Sequence, residues 1–78
     1  MNIFQYTDYI KNVKIPDYYK GRGSETGKKY IKIFNILSNG QRSAFQMVNI
    51  ETGDIFKAAS WKKRGRKIGN VKEMNNET

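Results

Sequence analysis

The chain has no cysteine, no histidine and a single proline in 78 residues. Without cysteine there is no disulfide and no thiolate nucleophile. Without histidine there is no imidazole base, and the usual zinc sites lose their ligands. Small secreted domains normally depend on disulfide staples, so a reducing intracellular compartment is expected. No run approaches the roughly 20 apolar residues of a membrane span. The N-terminal stretch carries Asp8 early, lacks a long apolar segment and has the pattern of neither a signal nor a transit peptide. Acid is scarce too, with 7 Asp and Glu against 15 Lys and Arg, a net charge of +8. In a single small domain, set here at residues 1–72 with a disordered tail at 73–78, that surplus implies a polyanionic partner.

The distribution sharpens this. Between positions 55 and 72 stand Lys57, Lys62, Lys63, Arg64, Arg66, Lys67 and Lys72, with no acid among them. The acids sit elsewhere, at Asp8, Asp17, Glu25, Glu51, Asp54, Glu73 and Glu77.

Residues 4–14 read as a short helix, with Tyr6, Tyr9, Ile10 and Val13 on one face, Thr7 as a candidate N-cap and Pro16 as the stop. Residues 16–27, PDYYKGRGSETG, read as loop, because proline and three glycines are hard to hold in a regular element. Residues 28–37, KKYIKIFNIL, are rich in β-branched and aromatic side chains and read as a strand. Asn39-Gly40 suits a two-residue type I′ turn. Residues 42–50 form the return strand. Glu51-Thr52-Gly53 suits a three-residue loop into a third strand at 55–61.

With those loop lengths, Phe34 faces Phe45 and Val48 faces Phe56. One face then gathers Ile31, Ile33, Leu37, Ala44, Val48, Ile50, Phe56 and Ala58. The other gathers Tyr30, Lys32, Phe34, Ile36, Phe45, Met47, Ile55, Lys57 and Trp61. The aliphatic face needs a cover, supplied by the N-terminal segment through Ile3, Phe4, Tyr9, Ile10 and Val13, or by curling with a further strand near 69–72. The expected fold is mainly β (small α+β): a three- to four-stranded antiparallel meander, or an SH3/OB-like partial barrel, with a short N-terminal helix.

Catalytic constellations are missing. The segment 21–29, GRGSETGKK, fails as a Walker A loop: its glycine spacing is wrong, Lys28 is followed by Lys29 rather than a hydroxyl, and no strand precedes it. It reads as a flexible loop, or as one in which Arg22, Lys28 and Lys29 touch phosphate. Ser24, Ser38, Ser43 and Ser60 lack a nucleophile context, and Asp54 beside Gly53 reads as a turn residue. The chain is not expected to be an enzyme, and no cofactor or metal is expected.

The mixed face carries the functional signal. Bases stack on aromatic rings while neighbouring cations follow phosphates, at about 1–3 kcal/mol per stacked base. The competing reading makes the same aromatics core. The stretch 61–70, WKKRGRKIGN, reads as a phosphate clamp, as an arm that orders on binding, or as a solvated tail. The residues assigned to nucleic-acid binding are Tyr30, Lys32, Lys57, Trp61, Lys62, Lys63, Arg64, Arg66 and Lys67.

The sequence Thr52-Gly53-Asp54-Ile55-Phe56-Lys57-Ala58-Ala59-Ser60-Trp61-Lys62, closed by Gly69-Asn70 and preceded by Tyr30-Ile31-Lys32-Ile33, resembles a family of small, mostly uncharacterised bacteriophage and virus proteins. It departs from their pattern at Lys63-Arg64-Gly65-Arg66, where Ala-Pro often precedes the basic loop. The resemblance implies a viral origin and a β-meander. The expected function is therefore that of a small basic viral protein that binds DNA or RNA with little sequence specificity, through a basic loop after the third strand. The alternative is a phage-encoded inhibitor or adaptor that docks on an acidic host protein. Either works in the host cytoplasm, or, for a genome-bound component, in the virion. An exposed edge at 28–37 or 55–61 leaves pairing with a second copy open.

Overall fold

A computed structural model describes residues 2–13 and 15–73. The order is a helix, five strands and a terminal 3-10 turn: α1 (Ile3–Asn12), β1 (Tyr19–Thr26), β2 (Tyr30–Leu37), β3 (Arg42–Asn49), β4 (Asp54–Ala58), β5 (Arg64–Asn70) and Val71–Glu73. The strands form one open antiparallel sheet in the order β1-β2-β3-β4-β5. The protein is mainly β with one short N-terminal helix, as its sequence implies, and the meander has five strands rather than three or four. Among the described residues no helix is long and apolar enough to cross a membrane.

The helix starts one residue earlier than its hydrophobic spacing suggests, because Asn2 caps it. Asn2 Oδ1 accepts from the Gln5 N–H at 2.8 Å, and Gln5 Oε1 accepts from the Asn2 N–H at 2.9 Å, a reciprocal capping box. Thr7 is not the cap: it is buried inside the helix and donates to the Ile3 carbonyl at 2.7 Å. The helix stops where Val13 turns extended. Of the expected end of this element, Lys14 lies outside the described residues. The apolar face is Tyr6 and Ile10, with Ile3 packed against them, while Phe4 and Tyr9 point to solvent at 65% and 55% exposure.

This face covers Ile31, Ile33, Val48 and Ile55, each at most 1% exposed, together with Val71. Full burial of such a side chain stabilises the fold by about 1.5–3 kcal/mol. Tyr6 reaches across to donate to Gln46 Oε1 at 2.6 Å. Burial pushes the Tyr6 hydroxyl pKa above its ordinary value, outweighing the Gln46 bond that lowers it.

Two registers differ from the sequence expectation, both through loop length. At Asn39-Gly40 only Gly40 has positive φ, at 90°, so the turn is not type I′, which needs positive φ at both central residues. Leu37 instead donates to the Gln41 carbonyl at 2.7 Å and accepts from Gly40 at 2.8 Å around a loop of residues 38–40. Phe34 therefore pairs with Ala44. A bulge after Ile33 restores the expected Lys32–Met47 and Ile31–Val48 pairs, and Phe45, not paired with β2, packs against the helix-side core.

At the β3–β4 connection Asn49 Oδ1 accepts from the N–H groups of Glu51 at 2.9 Å and Thr52 at 3.0 Å, and Gly53, at φ 80°, donates to the Asn49 carbonyl. The loop is longer by one residue than expected, so Val48 pairs with Ile55 and Met47 with Phe56. A one-residue shift exchanges faces: Ile55 enters the aliphatic core and Phe56 joins the aromatic side.

The largest correction is at 16–27. The glycine-rich segment is not loop but strand β1, paired with β2 from Tyr19–Leu37 to Thr26–Ile31. One of its glycines serves the aromatic face. Gly23 lies opposite Phe34, and a Cβ there would stand 2.7 Å from the Phe34 ring. Arg22 points the other way. It donates from Nε to Asn35 Oδ1 at 2.8 Å and from Nη1 to the Ile10 carbonyl at 3.0 Å, with its guanidinium 4.3 Å over the Phe45 ring. It ties α1 to the sheet instead of reaching for phosphate.

Candidate nucleic-acid interface

The sheet face away from α1 is where aromatics and cations meet. The row Lys32–Met47–Phe56–Lys67 crosses β2 to β5, with Tyr30 and Phe34 flanking Lys32 on the same face. Phe34, Met47 and Phe56 are buried at 5%, 4% and 8% exposure although α1 lies on the other face. Cations cover them instead. The Arg42 guanidinium lies 4.7 Å over Phe34 and that of Arg64 4.4 Å over Phe56. Trp61, from the β4–β5 loop, leans on Phe34 with centroids 5.7 Å apart, and the Lys32 ammonium sits 4.2 Å over the indole. Tyr30 meets Phe56 edge-on at 6.0 Å, with Lys29 6.0 Å from its ring. Each such cation–ring contact contributes about 0.5–1 kcal/mol when exposed and more when desolvated.

The sequence left core and stacking platform open for these rings, and the geometry divides them. Phe34 and Phe56 are a second small core under guanidinium covers. Phe45 belongs to the opposite side. Tyr30 and Trp61 are half-buried.

The basic stretch 61–70 is not a tail, and most of it is not a loop. Lys62 and Lys63 occupy the β4–β5 loop, which closes when Ala59 and Ser60 donate to the Lys63 carbonyl at 2.9 and 3.1 Å. Arg64, Arg66 and Lys67 lie in β5, an edge strand interrupted by two register shifts. Gly65 is required by close approach, since a Cβ there would meet the Lys57 carbonyl at 2.7 Å. Ile68 is 47% exposed.

Of the residues assigned from sequence, Tyr30, Lys32, Trp61, Lys62, Arg64 and Lys67 gather on or beside this face. Lys57 does not: it pairs with Gln46, on the side that carries α1. Lys63 is an exposed loop residue, and Arg66 is exposed next to the close approach at Gly65. Lys29, offered from sequence as a phosphate contact of the 21–29 segment, also reaches this face, while Arg42 was missed. Strand alternation alone groups Arg42 with Ala44 and Val48 on the aliphatic side; the bulge after Ile33, with Phe45 as the extra residue, turns Arg42 and Ala44 to the Phe34 face.

Cations here are little neutralised from within. Among the described residues the ion pairs are Lys11–Asp8 at 4.0 Å on the helix and Lys67–Asp54 at 3.0 Å at the β4–β5 ladder. Asp54 is a structural clasp. It accepts from Asn70 Nδ2 at 2.8 Å, while the same amide donates to the Thr52 carbonyl at 3.1 Å. Val71 N–H donates to the Gly53 carbonyl at 2.9 Å. The Thr52-Gly53-Asp54 turn and the Gly69-Asn70 close, separated in sequence, are therefore bonded to each other. The Asn70 amide first, then the Lys67 ammonium, hold the Asp54 carboxyl below its ordinary pKa.

Residues 5–76 match the model of a family described as "Family of unknown function (DUF7717)". No curated protein and no solved structure matches the chain.

Proposed function

We propose, for a chain that belongs to this family of unknown function and so inherits no activity from it, that the protein binds nucleic acid without catalysis and with little sequence preference. The binding surface is the sheet face opposite α1 and the β4–β5 loop beside it. The observation that carries this reading is the set of cations lying on aromatic rings over one face: Lys32 on Trp61, Arg42 on Phe34, Arg64 on Phe56 and Lys29 by Tyr30. Such cations are held in place by rings rather than by carboxylates, so their charge stays available to phosphate. Phosphate contact supplies affinity and no sequence information.

The test is fluorescence anisotropy with labelled DNA and RNA over a salt series. Engagement of about four to six cations predicts a slope of log affinity against log salt near −3 to −5. Changing Lys29, Lys32, Arg42 and Arg64 together to alanine is expected to abolish binding, with circular dichroism confirming the fold. Binding that barely responds to salt, or that survives the substitutions, would overturn the proposal.

A further inference from the structure

The β1–β2 turn and the β4–β5 loop, which belong to different ends of the strand order, line a common cleft of about 390 Å³ on the aromatic face. Its lining includes Met47, 4% exposed, and Tyr30, whose ring Phe56 meets edge-on. Lys28, Lys29, Lys32 and Lys62 surround it, and none of the four is in an ion pair among the described residues. Glu25, the cross-strand neighbour of Lys32, is the single carboxylate of the lining.

We propose that this cleft seats one unpaired nucleobase with its flanking phosphates, and that the protein therefore takes single-stranded over duplex nucleic acid. The inference rests on the nucleic-acid reading above. The volume is at the lower end of the roughly 300–1,000 Å³ of small-ligand sites, so it suits one nucleotide-sized group rather than a run of them. A flat, largely apolar base finds Tyr30 and Met47 as partners, and any base presents a π-face to a ring. The four ammonium groups of the lining meet the phosphates that flank a bound nucleotide on its 5′ and 3′ sides. Glu25 accepts hydrogen bonds but donates none when ionised, so it repels phosphate and favours the N–H edge of a base. A base inside a duplex is stacked and paired, and must be extruded at a cost of a few kcal/mol before it can enter.

The experiment uses the full chain, a labelled strand of about 15 nucleotides, within the site sizes of single-strand binders, and the duplex of the same sequence at one fixed salt concentration. Two variants are compared with the wild type. Tyr30→Leu keeps an apolar contact for Phe56 and leaves the charge unchanged. Lys28→Ala with Lys29→Ala alters exposed turn residues away from both cores. The expected result is at least tenfold tighter wild-type binding to the single strand. Tyr30→Leu should lose about 5- to 150-fold on the single strand, the range of one missing stack, with duplex affinity and salt slope unchanged. Equal wild-type affinity for both forms, with Tyr30→Leu altering neither, overturns the cleft and leaves the proposed function standing. Failure of the wild type to bind either form overturns both. If Tyr30→Leu does not fold, the double lysine variant decides: a larger fall on the single strand than on the duplex supports the cleft, and an equal or larger fall on the duplex overturns it.

Discussion

Replacing Arg22 by methionine removes the guanidinium that ties α1 to the sheet while keeping most of the apolar stem. Two bonds from a charged donor are lost, one to Asn35 Oδ1 and one to the Ile10 carbonyl, and with them the contact over Phe45. Hydrogen bonds to charged groups contribute about 1.5–3 kcal/mol each, and the ring contact about 0.5–1 kcal/mol. Arg22 is only half-buried, so water recovers part of this at the Ile10 carbonyl. Asn35, at 5% exposure, has no such recourse. The low ends of these ranges apply, giving a loss of about 3.5 kcal/mol. In a domain of this size that lowers Tm by about 14–28 °C. Urea unfolding followed by far-UV circular dichroism measures the loss directly. Arg22→Lys should lose about half as much, because a single ammonium reaches one acceptor and not both. A loss below about 1 kcal/mol for Arg22→Met, with helix content intact, would refute the idea that this side chain docks the helix.

Gly23→Ala should destabilise by about 1–3 kcal/mol, the usual cost of overpacking, because its Cβ would stand 2.7 Å from the Phe34 ring. A concurrent change in Trp61 fluorescence would report the displaced ring. Asp54 gives an acid-side prediction. Its folded pKa lies below the ordinary 3.8, so its contribution is present above that value and is lost as the pH falls through the lower folded value. Asp54→Asn should flatten this part of the stability–pH curve in acid-titrated urea melts, and an unchanged acid limb would refute the clasp.

What the sequence revealed and what it hid divide along physical lines. Strands β2, β3 and β4 were legible because Val, Ile and Phe recur with period two between turn residues. The helix was legible as a cover because Tyr6 and Ile10 fall on one face. Strand β1 was not, because Tyr19–Thr26 has almost no apolar signal of its own. Gly23 is in a strand because Phe34 of the next strand needs the space, and nothing within 16–27 announces that. Strand β5 was hidden for a related reason: an edge strand rich in charge and broken by bulges protects itself from foreign pairing by the features that erase its pattern. The face of Phe56 turned on a single residue of loop length at Asn49, whose side-chain caps hold the longer turn. The cationic cover over Phe34 and Phe56 required residues from β3 and β5 together, a three-dimensional coincidence that spacing along one strand does not show.

The meander has a kinetic consequence. Every ladder joins strands that are neighbours in the chain, so no pairing waits for a distant partner, and low loop-closure entropy favours rapid assembly. Helix α1 is the exception: its core partners run along the chain as far as Val71, which joins Tyr6 and Ile10 in the core and whose N–H bonds the Gly53 carbonyl. A chain emerging from the ribosome can therefore lay down its hairpins in order of synthesis, while the helix made first gains its last core partner only when residue 71 has left the exit tunnel.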